Sequence, residues 1–272
     1  MAIPLLLLVL MLIAVPASAQ MDFSGEWDRV DNNEGQAALG DYMGIPMNEA
    51  AIARASAWSA SSLSLPEWQC RPHGGAYIKR GPSNLRIWKE VDPATRNIIA
   101  WHAEWLRSVE TPIYMDGRPH PPENAAHTWA GFSTGEYVGD MLKITTTHLK
   151  EGYLRRNGVP YSDQAKVVEY ITRPAGGDVL TWIIIVYDPV YLTEPFIRSS
   201  EYRRAPNQMI PPYPCVVADE SFQPRGRVPH YLPGENPGIT EYLKKYGIPE
   251  QAQSDGAATL YPEYQLQLKQ IK

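Results

Sequence analysis

Trp129-Ala130-Gly131-Phe132-Ser133-Thr134-Gly135-Glu136-Tyr137-Val138-Gly139-Asp140-Met141-Leu142-Lys143-Ile144-Thr145-Thr146-Thr147-His148 decides the fold class of this chain. In an extended segment Trp129, Gly131, Ser133, Gly135 and Tyr137 fall on one face. Val138-Gly139-Asp140 is a turn, and beyond it Leu142, Ile144, Thr146 and His148 again share a face. Two period-2 runs joined by a tight Gly-Asp turn predict an antiparallel hairpin.

The same grammar extends on both sides. Asn84 to Glu90 alternates, turns through Asp92-Pro93-Ala94-Thr95, and resumes from Asn97 to Arg107. Gln164 to Thr172 connects through Ala175-Gly176-Gly177-Asp178 to Val179–Tyr187, and a last strand is predicted at Phe196 to Arg204. Ile183-Ile184-Ile185-Val186 is apolar on both faces, which places that strand centrally or against a covering element. Six to nine strands linked by short turns, with no helices of crossover length between them, predict a mainly β, antiparallel domain. An up-and-down β-barrel or a strongly curled sheet removes the open edges such strands would otherwise present.

Residues 77–205 therefore carry the strands of a single domain spanning 20–272. Residues 20–76 read as an N-terminal wrap, with a strand near Phe23 to Arg29 and a helix near 47–62 that Asn48 can cap. Residues 206–272 read as a Pro-rich wrapping tail with a short helix from Ile239 to Tyr246, so the helices are short and peripheral. The 25 prolines and 20 glycines match this turn-rich organisation.

Residues 1–19 read as a cleavable secretory signal. An apolar run from Leu5 to Val15 ends at Pro16, and Ala17-Ser18-Ala19 supplies the small-x-small cleavage pattern. The run is shorter than the roughly 20 residues of a membrane-spanning helix. The expected location is periplasmic or secreted, with no membrane span in the mature protein. The net charge of −5 gives no basic field for a nucleic-acid partner. In an oxidising compartment Cys70 and Cys215 read as one disulfide, the alternative being two buried free thiols.

Asp116-Gly117-Arg118-Pro119-His120-Pro121, His127-Thr128-Trp129-x-Gly131-x-Ser133-x-Gly135 and Gly139-Asp140-x-Leu142 form a recurring set of polar signatures. With His148-Leu149-Lys150, Arg155-Arg156-Asn157-Gly158, Tyr213-Pro214-Cys215 and Val228 to Gly234, this set resembles a group of uncharacterised exported bacterial proteins. The group usually carries Trp-Glu before the hairpin Gly-Asp, where this chain has Tyr137-Val138. The resemblance implies a lipocalin-like or related barrel and no particular reaction.

Gly131-Phe132-Ser133-Thr134-Gly135 matches the G-x-S-x-G string of serine hydrolases, but a nucleophile elbow needs a strand-to-helix turn. A second strand follows here, so the string reads as strand. His120 and His127, with Asp116 and contributions from His73, His148 or His230, offer metal-ligand atoms. They lack H-E-x-x-H or close Cys/His spacing, so no metal is expected. No Gly-rich phosphate loop is present and no cofactor is expected.

The leading reading is an acid–base site in the barrel. His148 shares a face with Leu142 and Ile144, which carries it to the interior or its rim. Glu169 sits between Val167 and Ile171, where a carboxylate must be paired or stay protonated and poised for proton transfer. Arg155 or Arg156 would satisfy Glu169 or bind an anionic substrate group. Arg118, His120, His127, Trp129 and Arg155 would orient a small, partly hydrophobic metabolite. The expectation is a cofactor-free lyase, hydratase, isomerase or cyclase. The alternatives are a non-catalytic small-molecule binding protein and an envelope accessory protein without a ligand.

Overall fold

The computed structural model describes residues 21–30, 38–59, 65–77, 79, 84–105, 110–174, 176–208, 215–216, 226 and 230–270. The signal segment 1–19, the end of the helical expectation at 60–62, Tyr213-Pro214 and residues 227–229 lie outside the described residues.

Nine strands close into a barrel in the order β1 (Gly25–Arg29), β11 (Phe196–Arg204), β10 (Val179–Tyr187), β9 (Lys166–Thr172), β6 (Met141–Thr147), β5 (Phe132–Val138), β4 (Thr111–Tyr114), β3 (Ile98–Trp105) and β2 (Leu85–Val91). β1 completes the ring by pairing with both β11 and β2. β7 (Gly152–Tyr153) and β8 (Pro160–Tyr161) form a separate two-stranded ribbon.

One pairing departs from the antiparallel expectation: β4 and β5 run parallel, with Ile113 opposite Ser133. The long connection from Met115 to Gly131 carries the chain back to the end at which β4 began, so β5 sets off in the same direction. That connection contains the Asp116–Pro121 signature.

Alternation fixes the inward face. Leu142, Ile144 and Thr146 of β6 are buried, as are Val167, Glu169 and Ile171 of β9 and Leu180, Trp182, Ile184 and Val186 of β10. The registers Leu142↔Ile171 and Trp182↔Ile171 put them on one continuous wall. Trp27, Trp101, Trp182 and Tyr202 are the bulk of the filling, each fully buried. Ile183 and Ile185 are only half-buried, and β10 runs between β9 and β11 as a central strand.

The G-x-S-x-G string lies in this wall. Ser133 points inward and shares a hydrogen bond with Thr146 Oγ1 at 2.8 Å. Gly131 sits at φ +73°, and a Cβ there would lie 2.6 Å from the Thr147 carbonyl oxygen. The glycine is needed for strand approach, and no elbow forms.

Helix α1 (Glu49–Ala57) starts where Asn48 accepts a hydrogen bond from the Ala51 amide at 3.0 Å. Helix α2 (Pro237–Tyr246) is closed by Gly247, and α3 (Pro262–Gln270) follows. No helix among the described residues is long and apolar enough to cross a membrane. Cys70 and Cys215 are joined by a disulfide that ties the N-terminal wrap to the tail.

The segment before β2 does more than wrap. His73, Gly74, Gly75, Ala76, Tyr77 and Lys79 are all buried, and Lys79 reaches the inward face of β9 and β10. A Cβ on Gly74 would fall 2.0 Å from the Tyr161 hydroxyl, so only glycine lets the segment pass.

Candidate functional site

Three of the expected site residues meet. His120, His127 and His148 line one cleft of about 640 Å³, together with Glu123, Asp163 and Lys166. It lies where β6 ends and β9 begins, on the barrel rim.

His148 reaches the rim because regular strand geometry stops at Thr147. Its backbone adopts φ +57°, a left-handed conformation uncommon for a non-glycine residue. That twist takes it out of the alternation that points Thr146 inward. His120 comes from the Pro-rich connection and lies across the outward-facing threonines of β5 and β6. Its Nε2 is 2.9 Å from Thr134 Oγ1, and its Nδ1 is 2.7 Å from Thr147 Oγ1. The Thr147 hydroxyl is also 2.7 Å from His148 Nδ1, so one hydroxyl bridges two imidazoles.

The hydrogen-bond partners fix the proton positions in this chain when both rings are neutral. His148 Nε2 lies 2.9 Å from the Pro122 carbonyl oxygen, which can only accept, so Nε2 carries the proton. His148 Nδ1 then accepts from the Thr147 hydroxyl, and Thr147 accepts from His120 Nδ1. His120 Nε2 in turn accepts from Thr134. Every donor and acceptor is used once. Adding a proton to His148 would turn Nδ1 into a second donor facing Thr147 and displace the hydroxyl hydrogen.

His127 is held differently. Its Nδ1 is 2.9 Å from the Leu149 carbonyl oxygen and must donate to it. In the neutral ring the lone pair is therefore on Nε2, and the ring stands 5.3 Å from that of His148. This gives the cleft a nitrogen base whose tautomer is set by a backbone carbonyl.

Burial, reinforced by the charges of His148 and Lys166, holds the His120 imidazole below its ordinary value of 6.5. The stability consequence has a definite sign. Between the folded and unfolded pKa values the unfolded ring binds more protons, so stability rises with pH across that window. The stability present above about pH 6.5 is expected to fall as pH drops toward the folded value. Thermal melts at about pH 7.5 and pH 5.5 should show a larger acid loss for the wild type than for His120→Gln; equal losses would refute the assignment.

The remaining expected residues sit elsewhere. Glu169 is not with His148: it faces Ile144 across the β6–β9 pairing, four residues from His148, or about 13 Å along a strand. Its carboxylate takes two contacts from Lys79 Nζ, at 3.0 and 3.2 Å, and one from Trp182 Nε1 at 2.9 Å. The inward placement matches the expectation, but the partner is Lys79, not Arg155 or Arg156.

Arg155 bonds the Asp41 carbonyl and carboxylate at 3.2 and 3.3 Å, anchoring the N-terminal wrap. Arg118 forks onto Asp116, which its hydrogen bonds hold at a pKa of about 2, and it stacks 3.8 Å above Tyr114. Trp129 accepts a backbone hydrogen bond from Gly75 and lies 5.4 Å beneath the Lys150 ammonium. None of these three lines the histidine cleft.

Glu67, His73 and Tyr153 form a second buried polar cluster. Glu67 and His73 Nδ1 are 2.8 Å apart, the Tyr153 hydroxyl is 3.2 Å from the same nitrogen, and Arg156 stands 3.8 Å from the carboxylate. Burial opposes charge on Glu67, but the hydrogen bond and charge of His73 with the charge of Arg156 outweigh it and hold the carboxyl low. The cluster pins the segment that leads to Lys79.

Among the described residues no group of three His, Cys, Asp or Glu side chains is arranged to hold a metal ion. No family model, curated protein or solved structure matches the chain.

Proposed function

We propose that this chain is an exported, cofactor-free acid–base enzyme of the lyase, hydratase, isomerase or cyclase type, acting on a small metabolite in the histidine cleft. One observation carries the reading: the Leu149 carbonyl locks His127 with its Nε2 lone pair unprotonated, in a cleft large enough for a small molecule. His127 takes the proton. The His120–Thr147–His148 chain forms the adjoining wall and passes polarisation along it, and Lys166 supplies a cation for an anionic substrate group. The His127 imidazolium returns the proton, and Glu123 and Asp163 line the same cleft as acceptors for substrate donors. Export is supported by the Cys70–Cys215 disulfide, which persists in oxidising compartments.

Relative to the lumenal site expected from the sequence, the chemistry moves to the rim. The buried Glu169 is committed to Lys79 and Trp182, whereas the three histidines share an open cleft.

Untargeted mass spectrometry of host metabolites incubated with the purified protein tests the reading. A metabolite should be consumed by the wild type, and His127→Gln should lower its turnover by about a hundredfold or more while binding persists. A metabolite retained unchanged by both proteins would make this a carrier and sink the catalytic proposal.

A further inference from the structure

The barrel lumen holds a cation in surroundings that read as a receptor site. The Lys79 ammonium lies 3.0 Å from Glu169 Oε1 and 3.2 Å from Oε2, and its side chain is 3% exposed. It stands 4.6 Å from the centre of the Trp182 ring, within the range of a cation–π contact. The Trp182 indole N–H, in turn, donates to Glu169 Oε1 at 2.9 Å and fixes the carboxylate. Carboxylate and aromatic face are thus pre-oriented on two rigid neighbouring strands, Trp182 and Glu169 being inward residues of β10 and β9.

Lys79 itself is not part of that wall. It follows residues 71–77, which form neither helix nor strand, and has its backbone at φ +68° and its carbonyl accepting from the Tyr202 hydroxyl. A left-handed backbone at a long-chain residue costs on the order of 1 kcal/mol or more and persists only where surrounding contacts compensate it. The wall is regular and the occupant is strained.

We infer that the lumen of this barrel is a binding site for a primary alkylammonium group, which the folded chain fills with its own Lys79. Glu169 supplies the counter-charge, Trp182 the face, and Lys79, beyond the strap His73–Tyr77, the tethered occupant. A tethered group has an effective concentration of millimolar or more, so a free amine competes poorly with it in the intact protein. Removing the tethered ammonium exposes the specificity of the site. The inference is independent of the rim cleft, and its failure would leave the histidine proposal untouched.

The test is chemical rescue of Lys79→Ala by n-butylammonium, a primary alkylammonium one methylene longer than the Cγ-to-Nζ fragment that the substitution deletes. At about ten times its dissociation constant the amine should raise the melting temperature of Lys79→Ala by about 3–6 °C. Butanol, of the same shape and without charge, should give no comparable shift, and the effect should vanish in Lys79→Ala/Glu169→Gln. The wild type should not respond.

Stabilisation by butanol equal to that by the amine would reduce the site to a cavity that takes any filler and overturn the inference. So would a folded Lys79→Ala protein indifferent to the amine. Should Lys79→Ala not fold unaided, refolding in n-butylammonium against refolding in butanol decides the same point: recovery only with the amine supports the site, and equal recovery or none overturns it.

Discussion

Glu169→Leu alone is expected to cost about 3–5 kcal/mol of folding stability, and adding Lys79→Met to it is expected to return most of that loss. The two charges are almost wholly removed from water, with side-chain exposures of 2% and 3%. Deleting the carboxylate strands an ammonium in a lumen walled by Ile144, Ile171 and Ile184. The desolvation cost of the ammonium is then no longer offset by attraction. Replacing both partners with apolar groups of similar volume removes the charge problem altogether.

Recovery should stop short of complete because Trp182 Nε1 loses its acceptor in both variants, which costs about 1–3 kcal/mol for a buried donor. Urea unfolding of the wild type, both single variants and the double variant gives the coupling energy directly. A coupling below about 1 kcal/mol would show that the pair is solvated in solution and that the lumen is wetter than its burial implies.

Only half of this pair is encoded in local sequence pattern. Period-2 alternation placed Glu169 between Val167 and Ile171 on the inward face, and the structure agrees. Alternation carries no information about what stands opposite in three dimensions. Arg155 and Arg156 are natural partners because they lie in sequence between the strands that carry His148 and Glu169, yet Arg155 is held by Asp41 and Arg156 faces Glu67. Lys79 follows Gly74-Gly75-Ala76-Tyr77, which has neither helical nor strand periodicity, so nothing local announces that it enters the lumen.

Strong local signals were legible. β10 and β11 begin and end at the expected residues, Asn48 and Gly247 cap their helices, and the two cysteines pair. β4, only four residues long, gave too short a run to register, and so its parallel pairing with β5 went unseen. At the rim the histidines stood out by type and the threonines did not. An outward-facing threonine on a strand is ordinary, and only the arrival of His120 from a distant loop turns Thr134 and Thr147 into parts of a hydrogen-bonded chain. His148 reached the cleft through a backbone angle that no residue pattern encodes.

The second large effect concerns the disulfide. Cys70 and Cys215 are 145 residues apart in sequence, and closing a loop of that length removes on the order of 5 kcal/mol of chain entropy from the unfolded state. Measured values run below that figure, so Cys70→Ala/Cys215→Ala is expected to lose about 2–5 kcal/mol and about 5–15 °C in melting temperature. The loss should be unevenly expressed. Cys70 lies between Glu67 and His73, and that cluster pins the segment whose far end carries Lys79 into the lumen. Without the bridge to the tail, the strap has lost one of its anchors while the strand ladders of β6, β9 and β10 keep all of their pairings. Native-state hydrogen exchange should therefore speed up first at residues 67–77, with the amides of those three strands exchanging only through global unfolding. If exchange rose uniformly across the barrel, the disulfide would be acting on the unfolded chain alone. The strap would then be an integral part of the barrel core and not a separately anchored plug.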